Sequence, residues 1–98
     1  MRNFSIMGGE PLCKENVFLT QMLILNVKEQ YPDIKIYVWS GYTYEELINR
    51  HEQKLDWILD NIDYLIDGQF ILAERDITLP LRGSRNQRIL DMKELRHG

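Results

Sequence analysis

Only one cysteine occurs in the sequence, Cys13. No internal disulfide can form, which excludes a disulfide-stapled framework and makes a reducing cytoplasm the expected compartment. A site built from several thiolates is excluded as well. The two histidines, His51 and His97, are too isolated to suggest a metal site with that thiol. Positive charge is also scarce, with 12 Lys and Arg against 15 Asp and Glu and a formal net charge of −3. The basic run is confined to Arg82, Arg85 and Arg88. Nucleic acid and anionic membrane surfaces call for clustered cations, so neither is expected as a partner. No apolar run approaches the ~18 residues that a membrane span needs. The N-terminus lacks the charged, apolar and small-residue regions of a signal peptide. No Ser-His-Asp set, paired-carboxylate spacing or phosphate-loop motif is visible.

What remains is one domain's worth of chain, 98 residues with 44% apolar and 28% charged residues, ordinary for a globular protein but with little core to spare. Its organising stretch is Phe4-Ser5-Ile6-Met7-Gly8-Gly9-Glu10-Pro11-Leu12. A short strand, Asn3 to Met7, with Phe4, Ile6 and Met7 on both faces as for a strand covered on both sides, runs into a turn of two glycines. Without Cβ atoms these can take unusual angles and admit a ligand closely. A carboxylate and a proline follow, and then a helix pattern begins. This is the form of a ligand turn at the carboxyl end of a parallel strand. An ordinary tight turn has the same sequence form.

The 3.6-residue period of Phe18, Met22 and Leu25, and of Leu19, Leu23 and Val27, predicts a helix from Glu15 to Gln30. Val17 and Ile24 widen the stripe and predict heavy burial, with Met22 as core filler; Pro32 stops the helix. Ile34 to Ser40 alternates as a second strand, closed by Ser40-Gly41-Tyr42. A strand, helix and strand in this span make a βαβ unit with a right-handed crossover. That topology puts Gly8-Gly9-Glu10 and Ser40-Gly41 on one edge of the sheet, where α/β folds bind ligands. Thr43 and Glu46 fit a capping box that opens a short helix through Arg50, with His51 in a surface or capping role near its end. Asp56 to Asn61 reads as helical, with Leu55, Trp57, Ile58 and Leu59 inward. Asp63 to Asp67 is a third strand, ending in Asp67-Gly68, either a plain turn or a third ligand-facing strand end. The polar loop Arg82-Gly83-Ser84-Arg85-Asn86-Gln87 could bind an anion or tie down its own backbone. Arg88 to Met92 suits a last strand, and Lys93 to Gly98 a frayed tail.

Four ordered segments together carry a resemblance. Gly8-Gly9-Glu10-Pro11 resembles the S-adenosylmethionine turn of the radical SAM superfamily. Val38-Trp39-Ser40-Gly41-Tyr42-Thr43-Tyr44-Glu45-Glu46-Leu47, Asp63-Tyr64-Leu65-Ile66-Asp67-Gly68-Gln69-Phe70 and Leu81-Arg82-Gly83-Ser84-Arg85-Asn86-Gln87-Arg88 resemble its branch of activases for the anaerobic, glycyl-radical ribonucleoside-triphosphate reductase. The family's C-x-x-x-C-x-x-C loop for a [4Fe-4S] cluster is not among these residues. The chain thus resembles a C-terminal portion of such an activase, a single partial domain over residues 1–98.

The resemblance implies an α/β fold, an incomplete relative of the open (β/α) barrel, with a short, mainly parallel sheet and helices. It implies S-adenosylmethionine as cofactor, with Gly8, Gly9 and Glu10 meeting the methionine ammonium and Pro11 stiffening the exit of the turn. Ser40 and Gly41 are candidates for ribose or adenine contacts, and Asp67 is a weaker one. No residue of this chain replaces the cluster, so the expectation is a part that is inactive alone. The implied partner is the reductase. A non-catalytic module that docks on or regulates the reductase is the alternative. A bare edge at the first strand predicts self-association.

Overall fold

The computed structural model of the protein describes residues 3–7, 9–69, 75–82, 84 and 86–97. Its elements run β1 (Asn3–Ile6), α1 (Val17–Gln30), β2 (Lys35–Trp39), α2 (Tyr44–Ile48), α3 (Gln53–Asn61), β3 (Tyr64–Asp67), β4 (Arg88–Asp91) and α4 (Met92–His97). The four strands form one sheet in the order β1-β2-β3-β4. β1, β2 and β3 are parallel, while β4 returns antiparallel along β3. Ile6 lies opposite Val38, Trp39 opposite Ile66, and Asp67 opposite Arg88. Among the described residues the sheet is therefore mainly parallel, and its strand order is that of an open sheet rather than a closed one.

Alternation along each strand decides which side is covered. Ile6, Ile36, Val38 and Leu65 enter one buried cluster with Val17 and Ile24 of α1, Leu47 of α2, Leu55, Ile58 and Leu59 of α3, and Met92 of α4. All four helices thus contribute to a single layer on one face. Each such fully buried aliphatic side chain stabilises the fold by ~1.5–3 kcal/mol relative to exposure. The other face carries Tyr37, stacked on Tyr64 with ring centroids 4.9 Å apart and on Trp39 at 6.3 Å.

Several sequence expectations are corrected here. β1 is not covered on both faces: Asn3 and Ser5 are exposed, and Met7 lies beyond the strand, 63% exposed. α1 is not buried all round. Val17, Thr20 and Ile24 face inward, whereas Phe18, Leu19, Met22, Leu23 and Leu25 are exposed, so Met22 is not core filler. A helix lying on one sheet face beside one neighbour can bury only one stripe, however many apolar stripes its sequence offers. α3 begins at Gln53, earlier than the apolar pattern suggested, and the expected frayed tail contains α4. Asp91 explains the latter, because its Oδ1 accepts from the Lys93 and Glu94 amides at 3.0 and 3.2 Å. Among the described residues, no helix is long and apolar enough to cross a membrane.

Candidate functional site

β1 and β2 are parallel neighbours, so the turns that follow them leave from the same edge. Glu10 joins these turns. Its Oε2 accepts from Ser40 Oγ at 2.7 Å and from the Leu12 amide at 3.1 Å, and its Oε1 accepts from the Gly41 amide at 2.7 Å. Its carbonyl accepts from Asn16 Nδ2 at 2.9 Å. Gly9, with φ of +55°, supplies the left-handed bend that brings Glu10 round; a Cβ there would meet nothing within 4 Å. The chain then turns inward. Pro11 is buried, and its carbonyl accepts from Thr20 Oγ1 at 2.7 Å. Arg50 closes the turn from the end of α2. It donates to the Leu12 carbonyl and to Glu52 (2.8 Å), and its guanidinium lies 5.6 Å from the centre of the Tyr42 ring.

The end of β3 is knitted differently. Asp67 shares a face with Leu65, two residues back, and so points into the helix layer where α2 begins. Its carboxylate is fully buried and accepts from the Tyr44 amide at 2.7 Å. Arg88, its cross-strand partner, donates to it through Nε at 3.0 Å and through a second guanidinium nitrogen. The same guanidinium reaches Glu45 at 2.7 Å. Arg88 is held well above its ordinary pKa by the hydrogen bond to Asp67 first and to Glu45 second. Glu45 is held below its ordinary value, chiefly by the hydrogen bond from Arg88. Gly68, with φ of +97°, donates its amide to the Tyr42 carbonyl at 3.1 Å.

Between these two knots lies a cleft of about 520 Å³, lined by Glu10, Gly41, Tyr42, Thr43, Glu46 and Gln69. The volume is in the range of small-molecule sites, ~300–1,000 Å³. Its described lining holds two carboxylates and no cation. Thr43 and Glu46 form the capping box read from the sequence: the Glu46 amide donates to Thr43 Oγ1 at 3.1 Å, and the Thr43 amide to Glu46 Oε1 at 2.8 Å.

Of the residues singled out in the sequence, Glu10, Ser40 and Gly41 come together. Gly9 adjoins them, Pro11 is buried behind the turn, and Gly8 lies outside the described residues. Asp67 stands below the cleft rather than in its lining. The loop up to Gln87 ties down its own backbone: Arg82 donates to the Gln87 carbonyl at 2.7 Å, the Ser84 amide to Gln87 Oε1 at 3.1 Å, and Gln87 Nε2 to the Gly68 carbonyl at 3.0 Å. Gly83 and Arg85 of that loop lie outside the described residues. Sequence reasoning missed Arg88, Arg50 and Gln69. Arg50 and Gln69 carried no local signal. Arg88 could have been found from the pairing of a strand ending in Asp with an antiparallel strand beginning in Arg.

A family model described as a 4Fe-4S single cluster domain matches residues 1–90. A protein of Vibrio cholerae serotype O1 named anaerobic ribonucleoside-triphosphate reductase-activating protein is 39% identical over 86 residues, 88% of this chain and 53% of its own length. Proteins of the same name from Haemophilus influenzae and Escherichia coli K12 are 39% and 35% identical over the same shares. The chain thus spans about half the length of the curated relatives it matches, 53%. No solved structure matches it. The chain belongs to the 4Fe-4S single cluster domain family and is a relative of the activating proteins of anaerobic ribonucleoside-triphosphate reductases.

Proposed function

We propose that this chain supplies the S-adenosylmethionine-binding turn of an activase that generates the glycyl radical of anaerobic ribonucleoside-triphosphate reductase. The observation that carries the reading is the clasp of Glu10 on Ser40 and Gly41 beside a cleft whose described lining bears carboxylates and no cation. Such a lining suits a ligand with an ammonium and a sulfonium. Gly8, Gly9 and Glu10 would receive the ammonium end. Pro11 would hold the turn, and Ser40 and Gly41 would face the ribose or adenine. Asp67 would act from below, through Tyr44. When bound, S-adenosylmethionine supplies the 5′-deoxyadenosyl group for hydrogen abstraction. The chain's own residues bind it and orient it. The fold would be part of a radical-SAM-like open barrel.

The iron–sulfur cluster implied by the family does not fit the donors present. Cys13 is the sole thiol, and its Sγ lies 3.5 Å from Glu15 Oε2. Among the described residues no three His, Cys, Asp or Glu side chains converge on a metal position. The cluster's thiolates must come from outside these 98 residues, and this chain by itself is inactive in our reading. The test is a titration of S-adenosylmethionine followed by amide NMR. Shifts at Gly9, Glu10 and Gly41 support the assignment. Saturating ligand that leaves all three unmoved overturns it.

The lone thiol and the exposed apolar side of α1 favour a second reading, a non-catalytic module that docks on or regulates the reductase. Capture of the reductase without S-adenosylmethionine binding selects it, and failure to capture the reductase removes it. The same apolar side, together with the β1 edge, also supports self-association.

A further inference from the structure

Arg88 lies outside the cleft, yet the wall opposite Glu10 depends on it. That wall is the start of α2, Tyr42 to Glu46, together with Gln69 after β3. The Asp67 carboxylate accepts from two residues, through the Tyr44 amide and the Arg88 guanidinium. A fully buried carboxylate is held in place by such donors. Arg88 supplies two of them through a planar fork and uses its remaining reach on Glu45, in the first turn of α2. One guanidinium therefore fixes the end of β3 against the beginning of α2. The neighbouring bonds follow the same seam. Gly68 holds the Tyr42 carbonyl, Gln87 holds the Gly68 carbonyl, and Asn86 Nδ2 holds the Gln69 carbonyl at 2.7 Å.

We propose that Arg88 is a positioning residue for the cleft: by holding Asp67 and Glu45 together it sets the placement of Tyr42, Thr43 and Glu46 against Gln69, and so the fit of the ligand. The proposal rests on the cleft being the S-adenosylmethionine site. It differs from a purely structural ion pair in what it predicts for ligand affinity at unchanged folding. Lysine keeps the charge at position 88 but loses the fork, so it cannot hold both carboxylates in one geometry.

The experiment compares the parent protein, Arg88→Lys and Glu45→Gln. Three quantities are read: S-adenosylmethionine affinity by calorimetry, hydrogen exchange of the Tyr44 amide, and the melting temperature. Arg88→Lys is expected to weaken binding by about tenfold and to speed exchange at Tyr44 while the protein remains folded. Glu45→Gln, which removes one of the two carboxylates but leaves Asp67 held, is expected to weaken binding in the same direction and by less than Arg88→Lys. Parent-like affinity in folded Arg88→Lys, or unchanged exchange at Tyr44, overturns the proposal. A parent protein that binds no S-adenosylmethionine sinks the assignment of the cleft instead, and the exchange at Tyr44 then decides the positioning claim alone. If Arg88→Lys does not fold, Asp67→Asn replaces it under the same readouts, since it keeps the shape and one oxygen acceptor.

Discussion

Ser40 Oγ donates to Glu10 Oε2 at 2.7 Å, bridging thirty positions of sequence and the ends of two parallel strands. The bond does two things at once. It closes the edge of the sheet after β1 and β2, and it fixes a carboxylate at the mouth of the cleft.

Glu10→Gln tests both. The amide side chain keeps one oxygen acceptor but loses the charge, so it cannot hold Ser40, Gly41 and Leu12 as before. Hydrogen bonds to a charged group each contribute ~1.5–3 kcal/mol, and partial replacement should lower unfolding stability by about 1–3 kcal/mol in urea titrations. A loss of S-adenosylmethionine binding beyond the small unfolded fraction is expected in the same samples. Unchanged stability would show that the clasp contributes nothing to the fold.

Two glycines at the same edge should respond for different reasons. Gly9→Ala meets open space but must adopt φ of +55°, which costs on the order of 1 kcal/mol. Gly9→Asn should recover part of that loss, because asparagine tolerates the left-handed region. At Gly41 no positive φ is involved, but an added Cβ would stand 3.3 Å from Glu10 Oε1. Gly41→Ala should therefore perturb the carboxylate more than the backbone. Thermal melts of the parent protein and the three variants separate the cases, and Gly9→Asn no better than Gly9→Ala would contradict the backbone account.

The sequence made the edge legible but not what fastens the far wall to the sheet. Strand alternation and βαβ handedness were enough to bring Glu10 to Ser40 and Gly41, because parallel neighbours must end on one side. The capping box at Thr43 and Glu46 was visible because it is local. The pairing of Asp67 was not legible because its partner, Arg88, comes from a strand 21 positions away, and no local pattern reveals which cation a buried carboxylate will meet. The burial of α1 was overread for a related reason. Periodicity reports where apolar residues lie on a helix but not how many neighbours the helix has.

Acid should weaken the Glu45–Arg88 contact in a defined window. The folded-state pKa of Glu45 lies below its ordinary value of 4.5, chiefly through the Arg88 hydrogen bond. A lowered folded pKa contributes stability that is fully present above the unfolded value and is lost as pH falls through the folded one. The Glu45 side chain is 61% exposed, so the contribution is small and screened by salt. Urea midpoints of the parent and Glu45→Gln should differ at neutral pH and converge as pH drops below about 4.5. A difference that persists unchanged at the lowest pH would exclude this charge pair as its source.

The uncovered side of α1 should drive association. Leu19 is 66% exposed and Phe18 53%, and the helix runs from Val17 to Val27 without a charge. Exposed apolar area of this kind promotes contacts between molecules, and the adjoining β1 is an edge strand. Light scattering of the parent at micromolar concentration should show a dimer or larger species. Leu19→Lys with Leu23→Lys should shift it toward monomer with little loss of stability, since neither side chain is in the core. A parent that is monomeric under those conditions ends the argument.

Cys13 gives the sharpest test of where the cluster chemistry belongs. It lies just past the Glu10 turn, half-exposed, in a shallow cleft with Lys14, Glu15, Tyr42 and Arg50. A four-iron cluster draws on thiolates from several cysteines, and this sequence offers one. Anaerobic incubation with ferrous iron and sulfide should leave the protein without a stoichiometric cluster. Cys13→Ser should melt within about 0.5 kcal/mol of the parent, as for a surface substitution away from caps and core. A cluster bound by the parent and lost in Cys13→Ser would overturn the assignment of this chain to the S-adenosylmethionine turn alone. If neither protein binds one, Cys13 is not a cluster ligand on its own, in keeping with the proposed role of Glu10, Ser40 and Gly41 in holding S-adenosylmethionine.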